Sequence, residues 1–251
     1  MRPVDRDVRL LGAADATDPV LDVAIAQSLL RQASRGEIGP TVRIYRPLVP
    51  TVAFGRADTR RDGIDAAVLA CRAAGFTPVT RSPGGRAVAY TRDAVAIDHI
   101  CPEADPGRRL RRRFVEYGEL LAEVLRGLGV EARVGEVPGE YCPGAYSVNA
   151  RGLVKLIGTA QRVVRDAWLF SAVVIVDGAE QLKPLLRQVY DALDLPFDTA
   201  SVGSLRDEVG AVEVAELERS LRIAYTGAAE AEPVDGLTVK QAYGLRGDHL
   251  L

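Results

Sequence analysis

An ammonium group stands in the middle of an apolar run. Leu153-Val154-Lys155-Leu156-Ile157 reads as a buried strand in every position but Lys155. Burying an ammonium is costly unless it is paired or gives up its charge. The chain has three lysines, Lys155, Lys183 and Lys240, among 32 lysines and arginines. It uses arginine wherever any cation serves, a bias toward GC-rich codons that makes Lys155 stand out. Thirteen residues before it, Cys142 lies in a Tyr-Cys-Pro-Gly turn. The stretch from Glu140 to Arg162 therefore sets a loop thiol against a strand lysine.

At 251 residues, 47% hydrophobic and 26% charged, the chain is long enough for one large soluble domain with a well-buried core. A net charge of −2 gives no overall field that would draw nucleic acid. The three cysteines, Cys71, Cys101 and Cys142, are odd in number and have no paired spacing. They argue for a reducing cytoplasm and against a disulfide framework or a zinc site. The N-terminus lacks the apolar stretch of a signal peptide. No run approaches the roughly 20 apolar residues of a membrane span, so no membrane association is expected.

In chain order, residues 1–19 are polar and cover a domain edge. Helical periodicity runs from Val20 to Arg35 and stops at Gly36 and Gly39-Pro40. Thr41–Tyr45 and Thr51–Phe54 read as two strands joined by a turn around Pro47 and Pro50. A helix over Ile64–Ala74 and a strand over Pro78–Arg81 lead into Ser82-Pro83-Gly84-Gly85-Arg86, then strands over Ala87–Tyr90 and Ala94–Ile100. Arg109–Leu128 is the clearest helix, with Leu110, Phe114, Tyr117, Leu121, Val124, Leu125 and Leu128 along one face. A strand over Val130–Val134, a hairpin-like pair at Tyr146–Val148 and Leu153–Val164, and a strand over Trp168–Val176 follow. Helices over Ala179–Leu193 and Val212–Tyr225 complete the core, and 226–251 reads as a loose tail. Strands and helices mixed without a regular βαβ alternation predict a single α+β domain over 1–251 with a mixed sheet and a core of about 20–225.

Two segments can carry chemistry. Paired glycines at Gly84 and Gly85 after a strand let the backbone pass close to a ligand. The segment matches neither a P-loop nor a dinucleotide fingerprint, and alone it fits a plain β-turn equally well. A thiol beside a cation is a nucleophile, and a buried lysine can meet the oxyanion of an acyl intermediate. Cys142 equally fits a small buried hydrophobe, and Lys155 a strand residue whose head reaches the solvent edge. Neither His99 nor His249 suggests a catalytic triad.

Taken together, in their order and separation, the two segments resemble the superfamily of lipoate–protein ligases, lipoyl (octanoyl) transferases and biotin–protein ligases. Its arginine followed by Gly-Gly-x-Ala-Val is matched by Arg81, Gly84, Gly85, Arg86, Ala87 and Val88. Its strand lysine, glycine and Ala-Gln-Arg are matched by Lys155, Gly158, Ala160, Gln161 and Arg162. Phe54-Gly55-Arg56 has a counterpart too, and the resemblance covers about 20–225. It implies an α/β catalytic domain with a mixed, largely antiparallel sheet flanked by helices. A medium-chain acyl group lies in a tunnel beside the glycine loop and ends as an amide on a lysine of a lipoyl carrier domain. Implied carriers are the glycine cleavage H protein and the 2-oxoacid dehydrogenase E2 component, with acyl carrier protein as a further donor. Lys155 takes the catalytic lysine's place, and Arg81, Gly84, Gly85, Arg86, Ala87, Gly158, Thr159, Ala160 and Gln161 become the implied substrate-binding set.

Cys142 directs the subtype. A cysteine shortly before the lysine is similar to the cysteine-dependent octanoyl amidotransferase branch, which forms a thioester and requires no cofactor. Ligases instead activate lipoate with ATP and Mg²⁺. They usually carry a third glycine where Arg86 stands, an aromatic-His-Asp segment where Ala89-Tyr90-Thr91 stands, and often an accessory domain for which the segment after Tyr225 is too short. Asp98 stands where the branch often has Asn or Tyr. The expectation is a Cys142-dependent octanoyl or lipoyl transferase. An ATP-dependent lipoate ligase and a non-catalytic lipoyl-domain binding protein are the alternatives. The latter would use Arg108, Arg109, Arg111, Arg112 and Arg113 as a cationic patch.

Overall fold

The computed structural model describes residues 8–14, 17–227 and 229–251. Among these residues, ten strands form two sheets. They are β1 (Arg9–Leu11), β2 (Thr41–Tyr45), β3 (Thr51–Phe54), β4 (Thr77–Thr80), β5 (Val88–Tyr90), β6 (Ala94–Pro102), β7 (Ala132–Val134), β8 (Val148–Ala150), β9 (Val154–Val164) and β10 (Ala167–Ile175). The large sheet has the order β1-β2-β6-β10-β9-β8-β7, antiparallel except for β1 beside β2. The small sheet, β4-β3-β5, pairs β3 parallel to β4 and antiparallel to β5. The expected mixed, largely antiparallel α/β architecture is what the chain forms.

Period-two alternation divides the large sheet's faces. Val95 and Ile97 of β6, with Trp168, Phe170, Ala172 and Val174 of β10, join one hydrophobic cluster. The helices α3 (Leu110–Gly127) and α6 (Val214–Thr226) cover that face with Tyr117, Leu121, Leu217, Leu221 and Tyr225. The opposite face meets α1 (Pro19–Ser34) and the small sheet. On the small sheet's far side lie α2 (Ile64–Ala73) and α4 (Ala179–Ala192), whose Val189 and Tyr190 pack with Phe54, Val79 and Cys71. A short α5 (Leu205–Val209) begins at a capping box of Ser204 and Asp207. Pro19 opens α1 behind Asp18, whose carboxylate accepts the Val20 N–H at 3.0 Å.

Two sequence expectations are corrected. The two strands around Pro47 and Pro50 do not pair: β2 joins the large sheet and β3 the small one, so the turn carries the chain from one sheet to the other. The segment expected to be a loose tail contains α7 (Gly236–Leu245), packed on α1. Thr238 is buried there and accepts from Gln32 Nε2 at 2.9 Å, while the His249 ring nitrogen lies 2.6 Å from the Thr80 carbonyl. Its apolar positions do not gather on one face, and Leu237 and Tyr243 are exposed, which is why periodicity hides it. Among the described residues, no helix is long and apolar enough to cross a membrane.

Candidate active site

The loop between β7 and β8 carries Cys142, in the left-handed region at φ 44°. A non-glycine residue there needs its surroundings to hold it. Its N–H donates to the Tyr190 hydroxyl, which in turn donates to the Ala87 carbonyl at 3.0 Å. From below, Lys155 Nζ donates to the carbonyls of Tyr141 at 3.0 Å and Cys142 at 2.8 Å. Glu140 lies 3.5 Å from the same ammonium, and both residues are 1% exposed. The Glu140 carboxylate also accepts from the Gly144 N–H at 2.8 Å and the Ser147 hydroxyl at 2.7 Å. A buried ion pair is tolerable only with such added hydrogen bonds. Burial holds the Lys155 ammonium below the usual lysine range, with Cys142 and Glu140 acting against that depression.

The glycine loop closes on the sulfur. Cys142 Sγ accepts from the Arg86 backbone N–H at 3.2 Å and from Arg81 Nη2 at 3.4 Å. Arg81 is fixed by a 3.0 Å bond to the Arg86 carbonyl. Gly85 has φ +101°, and a Cβ there would come within 2.7 Å of Sγ and 2.6 Å of Arg81 Nη2, so a side chain would have no room. The Arg86 guanidinium turns away to buried Asp58, 3.1 Å from its Oδ1, while Asp58 Oδ2 accepts the Gly55 N–H at 3.1 Å. The thiol and the glycine loop, 56 residues apart in sequence, form one unit.

Below the sulfur lies an apolar cavity. Its outer part, beside the sulfur, is lined by Cys142, Tyr141, Arg81, Gly158, Thr159 and Ile175 among others. It adjoins an inner part, which Cys142 does not line, reaching Val23 and Ala26 of α1, Tyr45, Ala53, Ala96 and Asp98. Arg81, Val88, Ser171, Ala172 and Val173 line both.

The structure thus brings Cys142, Lys155, Arg81, Gly85, Gly158 and Thr159 to one place, along with the Arg86 N–H and the Ala87 carbonyl. It leaves others outside. A Cβ on Gly84 would meet open space. Ala160 is buried in β9 opposite Ser171. Gln161 holds the start of α3, accepting from Arg113 Nε at 3.0 Å and donating to the Leu110 carbonyl at 2.9 Å. Arg113 itself is buried, bonded to Glu103 at 3.1 Å and stacked on Trp168. The five-arginine patch therefore shrinks to four residues, with Arg109 and Arg112 paired to Glu103 and Glu116. Sequence reasoning missed Glu140, Tyr190 and Ser171. Glu140 opens the Cys142 segment and could have been paired with Lys155 on charge alone.

A thiol under two N–H donors and a buried ammonium holding its loop thus stand over an apolar cavity in an α/β domain. The chain belongs to the lipoyl protein ligase A/B catalytic domain family, whose sequence model matches residues 18–225. An octanoyl-[GcvH]:protein N-octanoyltransferase of Geobacillus kaustophilus is 32% identical over 142 residues, 56% of this chain and 50% of that protein. The octanoyltransferase LipM of Kyrpidia tusciae is 31% identical over 216 residues, 78% of this chain and 77% of LipM. The chain thus spans about half the length of the Geobacillus relative. Lipoate-protein ligase A bound with ATP superposes with a TM-score of 0.74 at 20% identity, covering 98% of this chain and 95% of the ligase. The bi-partite lipoate protein ligase of Thermoplasma acidophilum superposes with a TM-score of 0.74 at 19% identity, covering 97% and 93%. These superpositions establish the fold.

Proposed function

We propose that this protein transfers an octanoyl or lipoyl group to a lysine of a lipoyl carrier domain through a thioester on Cys142, without a nucleotide. The observation that carries this reading is the position of Cys142 Sγ, on the wall of an apolar cavity and under the Arg86 and Arg81 donors. Relatives named octanoyl-[GcvH]:protein N-octanoyltransferase support the glycine cleavage H protein as a partner. The E2 component and acyl carrier protein are further carriers of the same chemistry, and the reaction belongs to the cytoplasm.

In this reaction the sulfur attacks the acyl carbonyl of the donor. An S–C bond forms, the bond to the donor nitrogen or sulfur breaks, and the leaving atom takes the proton. The ε-amine of the acceptor lysine then attacks the thioester; a C–N bond forms, the C–S bond breaks, and the proton returns to sulfur. The N–H groups directed at the sulfur can bond its negative charge before attack and again when it leaves the thioester. Lys155 acts first by holding the Cys142 loop through two carbonyls. For its ammonium to meet an oxyanion or share the acceptor's proton, one of those bonds must open.

Intact-protein mass spectrometry after incubation with an octanoylated H protein, without nucleotide, tests the route. One octanoyl adduct, released by hydroxylamine and absent in Cys142→Ala, is expected. Equal transfer by Cys142→Ala would rule the thioester out, and acyl-AMP formed on addition of ATP and Mg²⁺ with no adduct would replace it with adenylation.

A further inference from the structure

The segment beyond α7 reaches the thiol's surroundings from behind. β4 is an outer strand of the small sheet, and Arg81 follows its last residue, Thr80. The peptide unit joining Thr80 to Arg81 is gripped at both ends. Its N–H, that of Arg81, donates to the Phe54 carbonyl of β3 at 2.9 Å. Its carbonyl, that of Thr80, lies 2.6 Å from Nδ1 of His249. A carbonyl only accepts, so Nδ1 carries the proton and donates. A peptide unit is planar, so bonds on its two opposite edges fix its rotation and the direction in which Arg81 leaves the sheet. From there Arg81 Nη2 reaches the Arg86 carbonyl at 3.0 Å and Cys142 Sγ at 3.4 Å.

His249 is itself held in place. It is 1% exposed and ends a helical turn, Arg246–His249. Next to it, Leu250 forms an antiparallel bridge to Val79 of β4. Arg246 bonds Asp18 at 2.7 Å, Gln27 donates to Asp248 at 3.4 Å, and Arg72 donates to the Leu251 carbonyl at 2.6 Å. Burial holds the ring below the ordinary histidine range; the Thr80 bond and Asp248 act against this, and Arg56 and Arg31 act with it. The neutral ring leaves Nε2 without a hydrogen-bond partner among the described residues. An apolar side chain would avoid that cost but could not make the Nδ1 bond.

We propose that His249 is a positioning residue: through the Thr80 carbonyl it sets the angle at which Arg81 meets the Cys142 sulfur, and so raises the reactivity of the thiol. A cation donating to sulfur favours the thiolate, which is the nucleophilic form. The inference rests on the reading of Cys142 as the reacting group and adds to it a residue from the far end of the described chain.

Alkylation of Cys142 by iodoacetamide in the folded protein, read by peptide mass spectrometry, tests this without any acyl donor. His249→Leu should slow the reaction about tenfold, the scale of a cation withdrawn from a thiol. His249→Asn, whose amide nitrogen stands on Cγ as Nδ1 does, should restore the rate. In an Arg81→Leu background, His249→Leu should cause no further slowing, because a positioning residue acts only through what it positions. An unchanged rate in folded His249→Leu, no rescue by a folded His249→Asn, or equal slowing with Arg81 already removed overturns the proposal. The wild-type protein gives a second reading should a variant fold poorly. The chain has two histidines, and ¹⁵N shifts of the His249 ring should place its proton on Nδ1 at neutral pH; a proton on Nε2 alone overturns the proposal. Wild-type Cys142 that resists alkylation overturns it together with the reading of a reactive thiol, whereas coupled alkylation rates without acyl transfer would remove the proposed function alone.

Discussion

His99 sits in β6 with its ring against Tyr117 at 4.8 Å, Trp168 at 4.9 Å and Tyr225 at 5.7 Å. Burial pushes its pKa down from the ordinary value to about 3. The unfolded chain therefore binds the extra proton first. Stability from this residue is complete above about pH 6.5 and is lost as pH falls toward 3. Between pH 6.5 and 5 the loss is about 2 kcal/mol. His249, also depressed by burial, adds in the same direction. Urea unfolding at both pH values should give a smaller decrease for His99→Leu than for wild type; equal decreases would show that His99 does not bind its proton on unfolding. Residues of this kind separate what the sequence discloses from what it hides. Lys155 and Cys142 were legible because an ammonium in an apolar run and a thiol in a turn are anomalies on their own. Arg43 in Thr-Val-Arg-Ile-Tyr and Asp98 in Ala-Ile-Asp-His are comparable anomalies, but their meaning depends on Asp22 and Ser171, 21 and 73 residues away. Gly85 lies between these cases. Its turn was legible, but the sulfur that forbids a Cβ there was not.

The helices and strands with strong periodicity formed where their patterns placed them, to within a residue or two at most ends. α3 and α4 are examples: each buries one apolar stripe, which is the signal that a single sequence carries best. α7 shows the limit. It is held to α1 by polar contacts, Ser28 to the Thr238 carbonyl at 3.2 Å and Gln32 to the Thr238 hydroxyl at 2.9 Å, beside the apolar packing of Ala242 and Leu245. Its start depends on Asp235, whose carboxylate accepts from the Thr238 N–H at 2.9 Å and from its hydroxyl at 2.8 Å. A neighbouring charge and these bonds hold the Asp235 carboxyl below the usual range against a burial effect that raises it. Asp235→Ala should cost about 1 kcal/mol, the usual value of a lost N-cap, read as a lower urea midpoint at unchanged slope. An unchanged midpoint would mean that the α1 contacts alone define the helix start.

At the scale of the whole molecule, the cavity exists because two sheets meet over small side chains. β6 presents Ala94 and Ala96 on one face while Val95 and Ile97 fill the other. Ala53 of β3, Ala89 of β5 and Ala26 of α1 line the same space. Interiors pack densely unless sequence forbids it, so alanines contributed by four elements leave room that bulkier residues would close. No local pattern reveals this: the elements are legible singly, whereas the separation of β2 and β3 into different sheets, which creates the space, is a long-range outcome. The depth of the space should set the length of chain admitted. Ala96→Phe places a ring in the inner part, and Ala96 is already buried, so overpacking should cost about 1–3 kcal/mol. It should leave the outer part and the sulfur donors in place. Loading of Cys142 from a mixture of hexanoyl and octanoyl donors, read by mass, should then shift toward hexanoyl relative to wild type. An unshifted ratio in a folded variant would mean that the acyl chain does not run inward past Ala96, and the chain's path would have to be sought on the outer side of Arg81.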